Sequence, residues 1–121
     1  MRIVVVAQSP ADFAAWERHE KQPAPPPTDA AAQRGLALYS GKTCVRCHNV
    51  GGVSDPIRVA PDLTHIAERT TLGAGVIAND PDHLFHWLRE PQVIKPASHM
   101  PDLNLTDDEC HDLVSYFETL R

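Results

Sequence analysis

Aromatic residues are scarce in this chain: two tryptophans, two tyrosines and three phenylalanines among 121 residues. So few large side chains leave a domain of this size short of packing volume. Long apolar runs are missing too, and nothing approaches the roughly eighteen consecutive apolar residues of a membrane-spanning helix. No charged stretch followed by an apolar one opens the chain, so neither a membrane span nor an export signal of its own is expected. A basic excess is absent: eleven Lys and Arg stand against sixteen Asp and Glu, a formal net charge of −5 at pH 7. The basic residues are scattered, which argues against nucleic acid as a partner and suits a basic protein surface better. Cysteine is limited to three residues, two of them close together and Cys110 alone. That excludes a disulfide framework and leaves Cys44 and Cys47 to be explained by local chemistry.

Proline, by contrast, is abundant, with eleven residues. The opening "MRIVVVAQ" is β-branched and apolar, and reads as a strand over residues 2–7 whose companion strands the chain lacks. Ser9 can cap a short helix with Pro10 at its first position, Asp12 completing a capping-box pattern and Phe13 and Trp16 on one face. The stretch "KQPAPPPTDA" then breaks every periodicity, and favours an extended spacer that holds the first segment away from the rest of the chain. The expected boundaries are residues 1–20, a proline-rich linker at 21–28, and one domain over 29–121.

In that domain Thr28 or Asp29 caps a helix through "AAAQRGLALYSG", with Gly35 and Tyr39 on one face where a second helix can approach closely. At the far end Thr106 and Glu109 form a capping box, and Cys110, Leu113, Val114, Phe117 and Leu120 repeat at helical spacing. "PDLTHIAER" and "DPDHLFHWLRE" read as short helices, the second capped by Asp80. No strand is expected beyond residue 28, so the domain is all-α. At about 95 residues with few aromatics its core is marginal, and a large apolar cofactor would complete it.

The stretch "TCVRCHNV" places Cys44, Cys47 and His48 in the order C-x-x-C-H. Covalent haem attachment needs two thiols to add across two vinyl groups and an imidazole beside them to reach the iron, and this spacing puts all three on one turn. A zinc site requires a second ligand pair, for which only Cys110 with His111 is at hand. A redox dithiol wants a βαβ context that this domain does not offer. Haem c is the stronger reading, and it asks for a second axial ligand. "VIKPASHMPDL" supplies Met100 in a loop between prolines, poorly placed as a core gap-filler and well placed as a soft thioether ligand. His99 is its local rival and is expected to face solvent. Surface positions are expected for His19, His83, His86 and His111, while His65 either hydrogen-bonds near the haem or packs. Cys110 is expected to be an inert core thiol. Lys42, Arg46 and Lys95 are candidates for a docking rim, and Arg69, Asn79 and Trp87 for donors to the haem propionates.

These residues resemble the class I cytochromes c: a first helix with Gly35 and Tyr39, the C-x-x-C-H, Pro61, a Met-Pro at Met100, and a last helix with "DLVSYF". The resemblance covers nearly all of residues 29–121. It implies that the terminal helices cross, with Gly35 and Tyr39 meeting Leu113 and Tyr116. It also implies that the Pro61 carbonyl accepts a hydrogen bond from the other ring nitrogen of the ligating His48. The run "APDLTHIAERTTLGAGVIANDPDHLFHWLREPQVIKPASHMPDLNLTDDE" is similar more narrowly to the cytochrome c domain of subunit II of caa3-type cytochrome c oxidases. In that subunit the last strand of a cupredoxin domain and a "SPADFAAW"-like helix precede the cytochrome. Residues 1–20 would then be a remnant of the CuA domain, with Met1 standing where a CuA ligand, or equally an initiator, would stand. The other CuA ligands of that family lie upstream, so CuA is implied for the parent subunit and not for this stretch. The resemblance implies electron transfer rather than catalysis in isolation. The haem would take electrons from a cytochrome c or a quinol-oxidising complex and pass them to CuA, beside oxidase subunit I. The place would be the periplasm or the outer face of the bacterial inner membrane, with membrane attachment only through the parent subunit. A free-standing electron carrier is the nearest alternative, and a haem enzyme with an open sixth position a more distant one.

Overall fold

The computed structural model describes residues 5–56 and 59–121. Among the described residues five α-helices carry the architecture: α1 (Pro10–Glu20), α2 (Ala30–Gly41), α3 (Pro81–Arg89), α4 (Pro91–Ile94) and α5 (Asp107–Phe117). Each of the longer ones starts where the sequence supplies a cap. Asp29 accepts from the Ala32 backbone at 2.8 Å at the head of α2, Asp80 from His83 at 2.9 Å at the head of α3. Thr106 and Glu109 form the full reciprocal capping box on α5, satisfying two amides that the first helical turn leaves without partners.

Helices α2 and α5 cross at Gly35. A Cβ at that position would lie 2.6 Å from Tyr116 Cβ and 2.7 Å from the Asp112 backbone carbon, so only glycine lets the two backbones come this close. Around the crossing the fully buried Tyr39 packs against Tyr116 and Phe117, with ring centroids 5.9 and 6.2 Å apart. The faces of α5 anticipated from helical spacing are the ones buried: Cys110, Leu113, Val114, Phe117 and, just past the helix end, Leu120. Leu84 and Leu88 of α3, four residues apart, close the core from the side.

Three expectations change. Residues 2–4 of the expected first strand lie outside the described residues, and Val5–Gln8 form no strand. The domain is mostly helical as expected, but it carries a short ladder where no strand is anticipated. A two-residue antiparallel ladder pairs Thr71 with Ala78 and Leu72 with Ile77 (β1, Thr71–Leu72; β2, Ile77–Ala78). The glycines at 73 and 75 reverse the chain between them at positive φ. The proline-rich stretch, finally, does not hold α1 clear of the domain. Ala24 donates its backbone N–H to Gly51 O at 2.9 Å, and His19 on α1 meets Glu68 at 2.8 Å. Proline stiffens this segment, but the Ala24 amide between its prolines still finds a backbone partner on the domain. Helix α1 itself buries no residue, and Phe13 and Trp16, their rings 5.5 Å apart, are about half exposed.

Candidate functional site

A 3-10 turn over Thr43–Arg46 follows α2 directly and carries the C-x-x-C-H. Its geometry is closed by amides of Cys47 and His48, which both reach the Cys44 carbonyl, at 3.1 and 2.9 Å. The turn presents Cys44 and Cys47 unpaired and partly buried. From below, the Tyr39 hydroxyl donates to His48 O at 2.9 Å and lies beside Ser54 Oγ, which itself accepts from Val50 N at 3.0 Å. The helix-crossing tyrosine therefore also fixes the turn that bears the chemistry.

The segment 60–64 is strapped against 47–51. Ala60 N donates to Cys47 O at 2.9 Å and Leu63 N to Asn49 O at 2.8 Å, while Gly51 N donates to Thr64 Oγ1 at 2.8 Å. Asp62 is the knot of this strap: its carboxylate accepts from Asn49 Nδ2, from Thr64 N at 2.7 Å and from the Thr64 hydroxyl. Partial burial alone would raise the Asp62 pKa. The hydrogen bonds from Thr64 and Asn49, with Arg69 nearby, outweigh it and hold the carboxyl below its ordinary value. The strap delivers the Pro61 carbonyl to His48, with 2.7 Å between Pro61 O and Nδ1. A carbonyl can only accept, so Nδ1 carries the proton, and the lone pair of Nε2 is left for a metal.

Met100 lies in the loop after α4, partly buried against the core, while His99 is exposed. Gln92 of α4 pins that loop, its side-chain amide donating to Ser98 O at 2.8 Å and Met100 O at 2.6 Å. Ala97 takes a positive φ of 64° in the turn that Gln92 closes.

The three expected propionate donors divide. Arg69 donates through Nη2 to the Asp62 carbonyl, which places its guanidinium beside the strap. Asn79 gives its amide protons to Ile66 O and Arg69 O at 2.7 and 2.8 Å. It thus staples the 3-10 turn Ile66–Glu68 and has no N–H left over for a carboxylate. Trp87 is half-buried with its six-membered ring over Gly73, and its indole N–H has no protein acceptor among the described residues. Of the expected docking rim, Lys42 pairs with Glu109 at 2.7 Å and Lys95 donates to Gly73 O at 2.8 Å, so both are engaged within the domain. His83, His86 and His111 are exposed as expected, whereas His19 is drawn into a contact with Glu68.

The thiols separate the rival chemistries. A redox dithiol needs a thiol whose pKa is lowered, yet burial pushes Cys44 up. Burial also lifts Cys110 to about 11, an inert thiol in the core. No third and fourth zinc ligand converges on Cys44 and Cys47 among the described residues. Two partly buried, unpaired thiols, an imidazole with its second nitrogen oriented by a carbonyl, and a pinned methionine fit the requirements of covalently bound haem.

The C-x-x-C-H turn and the helix crossing fit a haem-carrying electron-transfer class of protein, and the comparisons agree. The family model for cytochrome c matches residues 32–121, and the chain belongs to the cytochrome c family, whose domain implies haem c. Over its whole length it is 26% identical to "Cytochrome c oxidase subunit 2" of Alkalihalophilus pseudofirmus, and 29% identical to the protein of that name from Bacillus subtilis. Against the one from a Bacillus species, strain PS3, it is 30% identical over 90% of the chain. The chain spans about a third of the length of these relatives, 32 to 35%. No helix among the described residues is long and apolar enough to cross a membrane.

Sequence reasoning named the two cysteines, His48, Pro61 and Met100, but missed the residues that hold them. Asp62 and Thr64 form a side-chain-to-backbone turn that the D-x-T spacing could have signalled. Ser54 and Gln92 act on backbone groups that no local pattern connects to them.

Proposed function

We propose that the chain is an electron-transfer domain with one covalent haem c, tethered through Cys44 and Cys47 and ligated by His48 and Met100. The observation that carries this reading is the 2.7 Å contact from His48 Nδ1 to Pro61 O on the C-x-x-C-H turn. It fixes the tautomer that frees Nε2 for iron. Bound haem supplies a one-electron ferric/ferrous couple. The chain's own residues do the rest: Tyr39 and Asp62 hold the C-x-x-C-H turn and its strap, and Gln92 holds the Met100 loop. His48 and Met100 would both be engaged in holding the haem, which disfavours substrate chemistry at its iron. Arg69 and the free indole N–H of Trp87 serve the propionates, and Asn79 acts indirectly by holding the turn that bears Arg69.

In this reading the chain is a part of a caa3-type oxidase subunit II. Residues 1–20 belong to the end of a CuA domain, 21–28 link, and 29–121 are the cytochrome. Electrons come from a cytochrome c or quinol-oxidising complex and leave to CuA, beside subunit I, on the outer face of the bacterial inner membrane. A free-standing carrier is less favoured, because Phe13 and Trp16 stand about half exposed on a helix that buries nothing. The similarity to the longer relatives also runs through this segment. Rapid mixing of the reduced protein with an oxidised soluble CuA domain tests the proposal. Haem oxidation in step with CuA reduction is expected. Ready carbon monoxide binding by the ferrous protein, with peroxide turnover, would instead make it an enzyme with an open sixth position.

A further inference from the structure

His65 is a buried side chain whose state the haem reading leaves unexplained. It is 9% exposed, and neither ring nitrogen has a hydrogen-bond partner among the described residues. Both nitrogens are shielded from solvent as well, so the ring carries two uncompensated polar atoms. Such a group calls for a ligand, and its surroundings are suited to one. The His19 ring lies 4.9 Å away, centroid to centroid, and His19 Nε2 is 2.8 Å from Glu68 Oε1. One donor atom from each of His19, His65 and Glu68 falls within 4.8 Å of the others.

We propose that His19, His65 and Glu68 form a binding site for a divalent transition-metal ion of the zinc type, which fastens α1 to the cytochrome domain. The donor set selects the ion class. Two imidazoles and a carboxylate suit zinc or its neighbours, whereas calcium and magnesium demand more oxygens and cuprous copper prefers thiolate or thioether sulfur. Metal bonds of about 2.0–2.1 Å in a tetrahedral arrangement put ligand atoms about 3.4 Å apart. The His19–Glu68 pair must therefore open slightly and His65 must draw nearer. Movement is available where it is needed, because the His19 and Glu68 side chains are 43% and 37% exposed. Glu68 is exposed, so water can complete the coordination.

The ion relieves the buried ring. It takes one nitrogen's lone pair, leaving a single N–H to be matched instead of two orphaned atoms. It also joins two parts of the chain that share little else. His19 belongs to α1, ahead of the proline-rich stretch, and His65 and Glu68 to the 3-10 turn next to Arg69. Occupancy would set how the N-terminal segment sits on the haem domain.

The test is equilibrium dialysis of the intact haem protein against zinc alone, with bound metal counted by mass spectrometry. The parent protein is expected to retain one zinc per chain. His19→Gln and Glu68→Gln, both at partly exposed positions where folding is not at stake, should each weaken binding at least ~10-fold. His83→Gln and His86→Gln, on α3, should bind as the parent does. Zinc should also slow proteolytic cutting within residues 21–28 of the parent and not of His19→Gln. Absence of retained zinc, or retention indifferent to both His19→Gln and Glu68→Gln, overturns the proposal whatever the haem does.

Discussion

Replacing Gly35 with alanine tests the close approach that organises the domain. A methyl group there would be pressed against the Asp112 carbonyl group and lie 2.6 Å from Tyr116 Cβ. Ordinary contact between such atoms begins near ~3.5 Å, so α2 and α5 would have to part by about 1 Å. Overpacking of a tight core costs about 1–3 kcal/mol. The obstacle here is backbone rather than the end of a mobile side chain, which puts the cost near ~3 kcal/mol. Alanine recovers about 1 kcal/mol of that through its helix propensity. The net loss of about 2 kcal/mol corresponds to a fall in Tm of ~8–16 °C for a domain of this size. Gly41 supplies the control on the same helix, because a Cβ there meets nothing within 4 Å. Gly41→Ala should leave Tm unchanged or raise it. Thermal unfolding followed by far-ultraviolet circular dichroism on the haem-loaded protein reads both variants. A Gly35→Ala protein as stable as the parent, or shifted no more than Gly41→Ala, would refute the argument.

Other changes probe the strap, the loop and the core hydroxyls. Asp62 has a folded-state pKa below its ordinary value, so its contribution is present above pH ~4 and is lost as pH falls through the folded value. Asp62→Asn should therefore lower stability at neutral pH and flatten the acid side of the stability–pH curve; an unchanged acid limb would contradict this. Gln92→Ala removes two hydrogen bonds to the Met100 loop, worth about 1–2 kcal/mol together. On heating, that variant should lose the sulfur-to-iron charge-transfer band well before its helical signal, while the parent loses them closer together. Tyr39→Phe deletes a hydroxyl that donates to His48 O and should cost about 1 kcal/mol in urea unfolding. Tyr116→Phe deletes a buried hydroxyl with no partner, and should be neutral or stabilising by the same measurement.

The parts of the molecule legible in the sequence are those set by local rules. Caps at Asp29, Asp80 and Thr106, the helical spacing of Cys110, Leu113 and Phe117, and the C-x-x-C-H each express an interaction between residues a few positions apart. Gly35 was legible because a glycine beside an aromatic on one helix face implies a close neighbour. The strap was not, since Asp62 acts by reaching Asn49 and Thr64, and half of that is a contact between segments. The short ladder at Thr71–Leu72 and Ile77–Ala78 escaped because two residues carry no alternation to read. The spacer was misjudged for a related reason. Proline predicts an extended backbone but says nothing of the surface it lies along, and Ala24 lies along Gly51. His19 and Asn79 show the same limit, their partners being fixed only once the 3-10 turn at Ile66–Glu68 is in place.

The central claim is that His48 and Met100 hold one covalent haem. The most direct test is the visible spectrum of the protein, matured with haem-attachment machinery and washed in denaturant before refolding. The account predicts that haem survives the wash and that the ferric protein shows the weak long-wavelength charge-transfer band of a sulfur ligand, absent in Met100→Ala. Haem removed by the wash would contradict the role of Cys44 and Cys47, and retained haem without that band would contradict the role of Met100.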